Sequence, residues 1–188
     1  MNFCVYGAAS DDIDPSFILA GEALGETIAQ NGHTVIFGGG AHGMMGAVAR
    51  GASRLHGNIC GIAPRFFNAD GVLFDGCTEM IYTADMHERK CLLEDRCDAF
   101  IVTPGGVGTY DELFETLCLR QLNRHQKPIL LYNINGYFDP LIEMLKLTAK
   151  KGFMRSECLD LLLVENDPKS VITRLIQATS VEDHQIYR

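Results

Sequence analysis

No Cys-x-x-Cys pair occurs among the seven cysteines, Cys4, Cys60, Cys77, Cys91, Cys97, Cys118 and Cys158, and each stands alone in an apolar or helical stretch. An odd number of scattered thiols argues against a disulfide framework and fits a reducing cytoplasm, where cysteine behaves as a small buried hydrophobe. Nor is there a His/Cys/Asp cluster at metal-ligand spacing. Basic charge is scarce: 16 Lys and Arg against 24 Asp and Glu give a formal net charge of -8. That balance argues against a broad footprint for nucleic acid or an anionic membrane, while a local basic pocket for a small anion survives it. No run of about 18 apolar residues is present to span a bilayer. The opening MNFCVYGAAS lacks the basic leader and long apolar core of a signal peptide and reads as a first strand. Low-complexity tracts, Pro-rich linkers and internal repeats are missing, and only the last few residues suggest disorder. With 188 residues, 47% of them hydrophobic, the expectation is one domain over residues 1–188 with a substantial core.

What is present is βαβ repetition. Strand-like runs at Asn2 to Tyr6, Thr34 to Phe37, Asn58 to Ala63, Glu79 to Tyr82, Ala99 to Thr103, Pro128 to Tyr132 and Leu161 to Val164 alternate with segments of helical period. The helices fall at Pro15 to Asn31, Met44 to Leu55, Met86 to Cys97, Tyr110 to Asn123, Phe138 to Lys150 and Pro168 to Thr179. Asp14 before Pro15 and Asp167 before Pro168 set a capping side chain ahead of a first-turn proline, and Gly32 and Gly152 stand where helices stop. Strands such as IFGGG and AFIVTPGG are apolar on both faces, as a parallel sheet covered by helices requires. The predicted fold is α/β: a Rossmann-like, doubly wound, mostly parallel sheet with helices on both faces, which binds ligands beyond the carboxyl ends of its strands.

Two glycine-rich turns face that edge. PGGVGTYDE, Pro104 to Glu112, lies where CDAFIVT hands over to a helix, and GGGAHGMMG follows the strand TVIF. Glycine admits tight turns and close approach to a ligand, and the first turn of a helix offers unpaired amides to an anion. Neither turn is a dinucleotide fingerprint or ends in Gly-Lys-Ser/Thr, so a mononucleotide or sugar phosphate suits them better than a dinucleotide or triphosphate. Thr109 can offer a hydroxyl and an amide to a phosphate. Glu112 is expected in the first turn of its helix, ionised by the dipole, where it would meet sugar hydroxyls and not the phosphate that repels it. The second charged cluster is DMHERK, Asp85 to Lys90, at another strand-to-helix junction. Arg89 can present a planar, permanently charged donor group and Lys90 a point charge, although a solvated helix face is the commoner fate of such a run. Among the histidines only His87 stands out; His33, His42, His56, His125 and His184 are assigned no role.

MHERK followed by PGGVGTYDE resembles the paired signature of the LOG (LONELY GUY) family of cytokinin riboside 5′-monophosphate phosphoribohydrolases, and the GGGAHGMMG turn resembles a third shared segment. Members were often labelled lysine decarboxylases, but nothing here resembles a pyridoxal phosphate lysine site. The resemblance implies hydrolysis of the bond between a purine and ribose 5-phosphate in a nucleoside monophosphate, with no metal or other cofactor. It places Arg89 and Glu112 at the catalytic positions and Lys90, Gly105, Gly106, Val107, Gly108 and Thr109 at substrate-binding ones. It also implies a homodimer, and with the charge balance it leaves nucleic acid and membrane outside the expected partners. Two departures bear on preference: Ala8 and Ala9 replace hydroxyl residues common after the first strand, and Cys118 stands where plant relatives carry a small hydroxyl residue. The alternatives are a non-catalytic nucleotide sensor or carrier of the same fold, which would not need both Arg89 and Glu112, and a transferase that passes the sugar to another acceptor.

Overall fold

The computed structural model describes residues 1–180; His184 and the last few residues, 181–188, lie outside the described part. The chain runs β1 (Asn2–Tyr6), α1 (Pro15–Gln30), β2 (Thr34–Phe37), α2 (Gly43–Arg54), β3 (Asn58–Pro64), β4 (Glu79–Thr83), α3 (Met86–Arg96) and β5 (Ala99–Val102). It continues with α4 (Val107–Gln121), β6 (Ile129–Tyr132), α5 (Asp139–Lys150), β7 (Leu162–Glu165) and α6 (Pro168–Thr179). All seven strands join one sheet in the order β4-β3-β2-β1-β5-β6-β7, and every pairing is parallel.

Alternation along the strands divides the core in two. Phe3 and Val5 of β1, Val35 and Phe37 of β2 and Ile101 of β5 pack on one face against Leu24 and Ile28 of α1, Met44 and Val48 of α2 and Val171 and Leu175 of α6. Cys4, Tyr6, Ile36, Phe100 and Val102 point to the other face and meet Leu93 of α3, Leu113 and Leu117 of α4 and Leu145 of α5. Both faces are therefore dry, and the short strands are fully apolar because side chains of either parity are buried. The caps read from sequence are in place: Asp14 accepts from the Ser16 amide and Asp167 from the Ser170 amide.

After β4 the chain crosses back to place β5 on the far side of β1, so the order of the sheet reverses between β1 and β5. Loops on either side of such a reversal part and leave a crevice at the carboxyl ends of the strands. Three bonds fasten the loops there: Ala8 N–H to Pro104 O at 3.1 Å, Met45 N–H to Ala8 O at 3.2 Å and Gly43 N–H to Asp11 Oδ1 at 2.7 Å.

One helix boundary differs from expectation in a way that matters. α4 begins at Val107, not Tyr110, because Gly106 takes the capping position and Val107, Gly108 and Thr109 already turn helically. Glu112 is consequently in the second turn, one turn deeper than the sequence suggested.

Candidate active site

A cleft of about 390 Å³ opens at the crevice, lined from every strand end between β1 and β5. Gly7 and Ala9 follow β1; Gly38, Gly40 and His42 follow β2; Met86 and Arg89 open α3; Gly106, Gly108, Thr109, Asp111 and Glu112 come from the last turn and α4. The remaining wall is Met45 of α2 together with Phe67, Val72 and Leu73, which belong to the excursion 65–78 between β3 and β4.

At the floor of the cleft Arg89 Nη1 donates to Glu112 Oε1 at 2.7 Å, and the two residues are 7% and 8% exposed. α3 is aimed by its own cap: Asp85 accepts from the Glu88 amide at 2.9 Å and the Glu88 carboxylate returns to the Ala84 amide at 2.6 Å. Glu88 is thus spent on the helix start and Arg89, one position on, is turned inward. Its guanidinium lies against bare backbone, since a Cβ on Gly38 would come within 2.1 Å of Arg89 Nη2. Arg89 Nε is buried and has no hydrogen-bond partner among the described residues. Burial pushes the Glu112 carboxyl above its ordinary value, against the pull of the Arg89 guanidinium. The sequence reading sets the charge of Glu112 by the helix dipole; in the structure burial and the Arg89 guanidinium are the larger influences on it.

Beside the pair, the start of α4 has no side-chain cap, so the first-turn amides are not occupied by the chain's own oxygens. Gly106 and Gly108 have nothing within 4 Å of where a Cβ would stand. Gly105 lies behind them, fixed by Tyr137 Oη donating to its carbonyl at 2.7 Å, and Val107 points outward, 86% exposed. Lys90 binds Asp111 at 3.1 Å and Glu115 at 2.6 Å on α4; Gly105, Val107 and Lys90 do not line the cleft. The Lys90 ammonium is held above its ordinary range chiefly by the Glu115 carboxylate. His87 is exposed and turns toward Cys91, away from the cleft. Ala9 lines the cleft, whereas Cys118 sits on α4 outside it. Among the described residues no group of three or more His, Cys, Asp or Glu side chains is placed to hold a metal ion.

Two features of the cleft escaped the sequence. His42 lines it, with its ring between Asp11 and Gly71, and the excursion 65–78 forms its apolar side. His42's position inside the GGGAHGMMG turn was the one available signal.

The family described as "Possible lysine decarboxylase" matches residues 45–175. A cytokinin riboside 5′-monophosphate phosphoribohydrolase from Mycobacterium tuberculosis is 38% identical over 168 residues, 89% of each chain. The chain belongs to the LOG family. Another relative of that name, from Rhodococcoides fascians, is 36% identical over 155 residues, 82% of this chain and 78% of its own. Among solved structures, the molybdenum cofactor binding protein of Rippkaea orientalis superposes with a TM-score of 0.72 at 22% identity, covering 96% of this LOG-family chain and 97% of that protein. The likeness at that identity is one of fold.

Proposed function

We propose that the protein hydrolyses the N-glycosidic bond of a purine nucleoside 5′-monophosphate, adenosine monophosphate or an N6-substituted form, to free base and ribose 5-phosphate. The observation that carries this reading is the buried Arg89–Glu112 pair on the floor of a cleft that also presents an uncapped helix start. The names of the relatives from Mycobacterium tuberculosis and Rhodococcoides fascians support the same activity.

The chemistry follows from the geometry. The phosphate sits at the amides of Gly106, Gly108 and Thr109, where partial positive charge at the helix start and open space beside the two glycines favour an anion. Its ribose then lies toward Glu112, about one helical turn further along α4. Breaking the bond between the anomeric carbon and the base nitrogen builds positive charge on the sugar, and a carboxylate in a water-poor site stabilises it or orients the attacking water. The water oxygen bonds to the anomeric carbon, and the base leaves with the electron pair of the broken bond and a proton. Arg89 positions the nucleotide or stabilises charge on the departing base, through the permanent charge its guanidinium brings to the cleft. Gly105 shapes the turn, and Lys90 acts through Asp111 and Glu115, holding α3 and α4 together beside the site.

One domain carries this activity in the proposed reading. The free thiols at all seven cysteines support a reducing cytoplasm. Among the described residues no helix is long and apolar enough to cross a membrane. A homodimer is supported by apolar side chains left at the surface, including Met144, Leu147 and Phe153. The decisive assay is a panel of nucleoside monophosphates, with and without N6 substituents, scored for released base. A carrier would bind nucleotide and release none, and a transferase would release base without free ribose 5-phosphate.

A further inference from the structure

Of the polar side chains lining the cleft, His42 has no part in the proposed hydrolysis, yet its ring joins two stretches of chain remote from its own. Its Nδ1 lies 2.5 Å from Asp11 Oδ2, in the loop after β1. Its Nε2 lies 2.9 Å from the carbonyl oxygen of Gly71, in the excursion 65–78. Asp11 uses its other oxygen to accept from the Gly43 amide, so one carboxylate clasps both the ring and the first residue of α2. His42 stands at the capping position of α2 but makes no side-chain cap bond to it, so the ring is not serving its own helix.

A carboxylate and a carbonyl are both acceptors, so the ring faces an acceptor at each nitrogen. The Gly43 amide, with help from His42, holds the Asp11 carboxyl below its ordinary range, in keeping with an ionised acceptor. The excursion is rooted at its far end, where Phe74 and Cys77 pack against a core, and the part nearer Phe67 lacks that support. Phe67 and Val72 are 40% and 38% exposed and belong to neither core. Backbone bonds reach it from the β2 turn at Val72, whose carbonyl accepts from the Ala41 amide at 3.0 Å, and at Phe74, whose amide donates to the Gly39 carbonyl at 2.9 Å. His42 fastens it one residue earlier, at Gly71, on the approach to Phe67.

We propose that His42 is a positioning residue that straps the excursion 65–78 across the mouth of the cleft, braced by Asp11, and so sets nucleotide affinity through a wall it does not itself form. The strap rests on the hydrolase reading only for its kinetic readout. Its ionic half is exposed, 55% and 61% at the two side chains, and exposed pairs contribute modestly, so the effect belongs in binding and not in chemistry.

The test compares His42→Ala, Asp11→Ala and the double variant in steady-state kinetics with adenosine monophosphate and in amide hydrogen exchange across 65–78. The expected result is a rise in KM of about three- to fivefold in each single variant with kcat little changed. Faster exchange at the Phe74 amide should accompany it, and the double variant should be no worse than the singles because both remove one device. Wild-type exchange across 65–78 in His42→Ala, or single effects that simply add, would overturn the strap. Should the wild type turn over no nucleotide, the hydrolase reading fails by itself. Exchange and the calorimetric Kd for adenosine monophosphate then decide the strap by the same criteria.

Discussion

Glu112 Oε1 and Arg89 Nη1 meet at 2.7 Å from helices whose sequence positions differ by 23. Both groups are buried, so removing one side chain strands the charge of the other, at a cost of about 3–5 kcal/mol. Loss of activity in an alanine variant would mix that cost with loss of chemistry. Substitutions that leave the pair's volume intact are therefore the informative ones.

Gly38→Ala should damage activity more than stability. The added methyl would fall 2.1 Å from Arg89 Nη2, and the far end of an arginine can move aside at small cost to the fold. Such a shift, of about 1 Å, misplaces the guanidinium over the cleft while leaving it beside Glu112, and a misplacement of that size is enough to cost activity. The expected outcome is a fall in kcat/KM of at least about tenfold with a shift in Tm of only a few degrees. Thermal melts and steady-state kinetics on the same preparation check it.

Gly108→Ala should do the reverse to the fold. Nothing lies within 4 Å of the new methyl, and alanine in place of glycine inside a helix gains up to about 0.5–1 kcal/mol. If the α4 amides hold the phosphate, the variant is at least as stable as wild type and binds adenosine monophosphate more weakly. Calorimetry beside a urea titration gives both numbers. Unchanged affinity would move the phosphate elsewhere in the cleft.

The pH dependence follows from burial of Glu112, which raises its carboxyl pKa against the pull of Arg89. With the carboxylate as the active form, kcat/KM falls on the acid side at a pH above the ordinary glutamate value of about 4.3. The sign for stability is the opposite of that for a salt-bridged acid with a depressed pKa. The fold favours the protonated carboxyl, so this contribution is complete below the unfolded pKa and is lost as pH rises through the folded one. Glu112→Gln does not titrate and removes that part of the slope. A pH–rate profile and urea midpoints between about pH 4 and 7 test the two halves.

Much of this arrangement was legible in the sequence because it is local. β1, β2 and α6 fall where their apolar runs and the Asp167-Pro168 cap placed them, since strands buried on both faces leave uninterrupted hydrophobic words. The start of α4 was misread because Gly106 and Gly108 look like loop residues, while helix formation there depends on the turn being seated against β1. Glu112's raised carboxyl was out of reach, for its cause is enclosure by a tertiary cleft. The excursion 65–78 has no period to read, and its place is set by bonds to Gly39, Ala41 and His42. His42 looked like an isolated polar residue because its partners stand 31 positions before it and 29 after it.

The most direct test is a single-turnover assay of adenosine monophosphate with wild type and Glu112→Gln, measuring adenine, ribose 5-phosphate and bound nucleotide together. The account predicts equal amounts of adenine and ribose 5-phosphate from wild type, and a rate lower by about 10²–10⁴ from a variant that still binds nucleotide. Wild type that binds the nucleotide and never cleaves it, or a Glu112→Gln variant that cleaves at the wild-type rate, would contradict it.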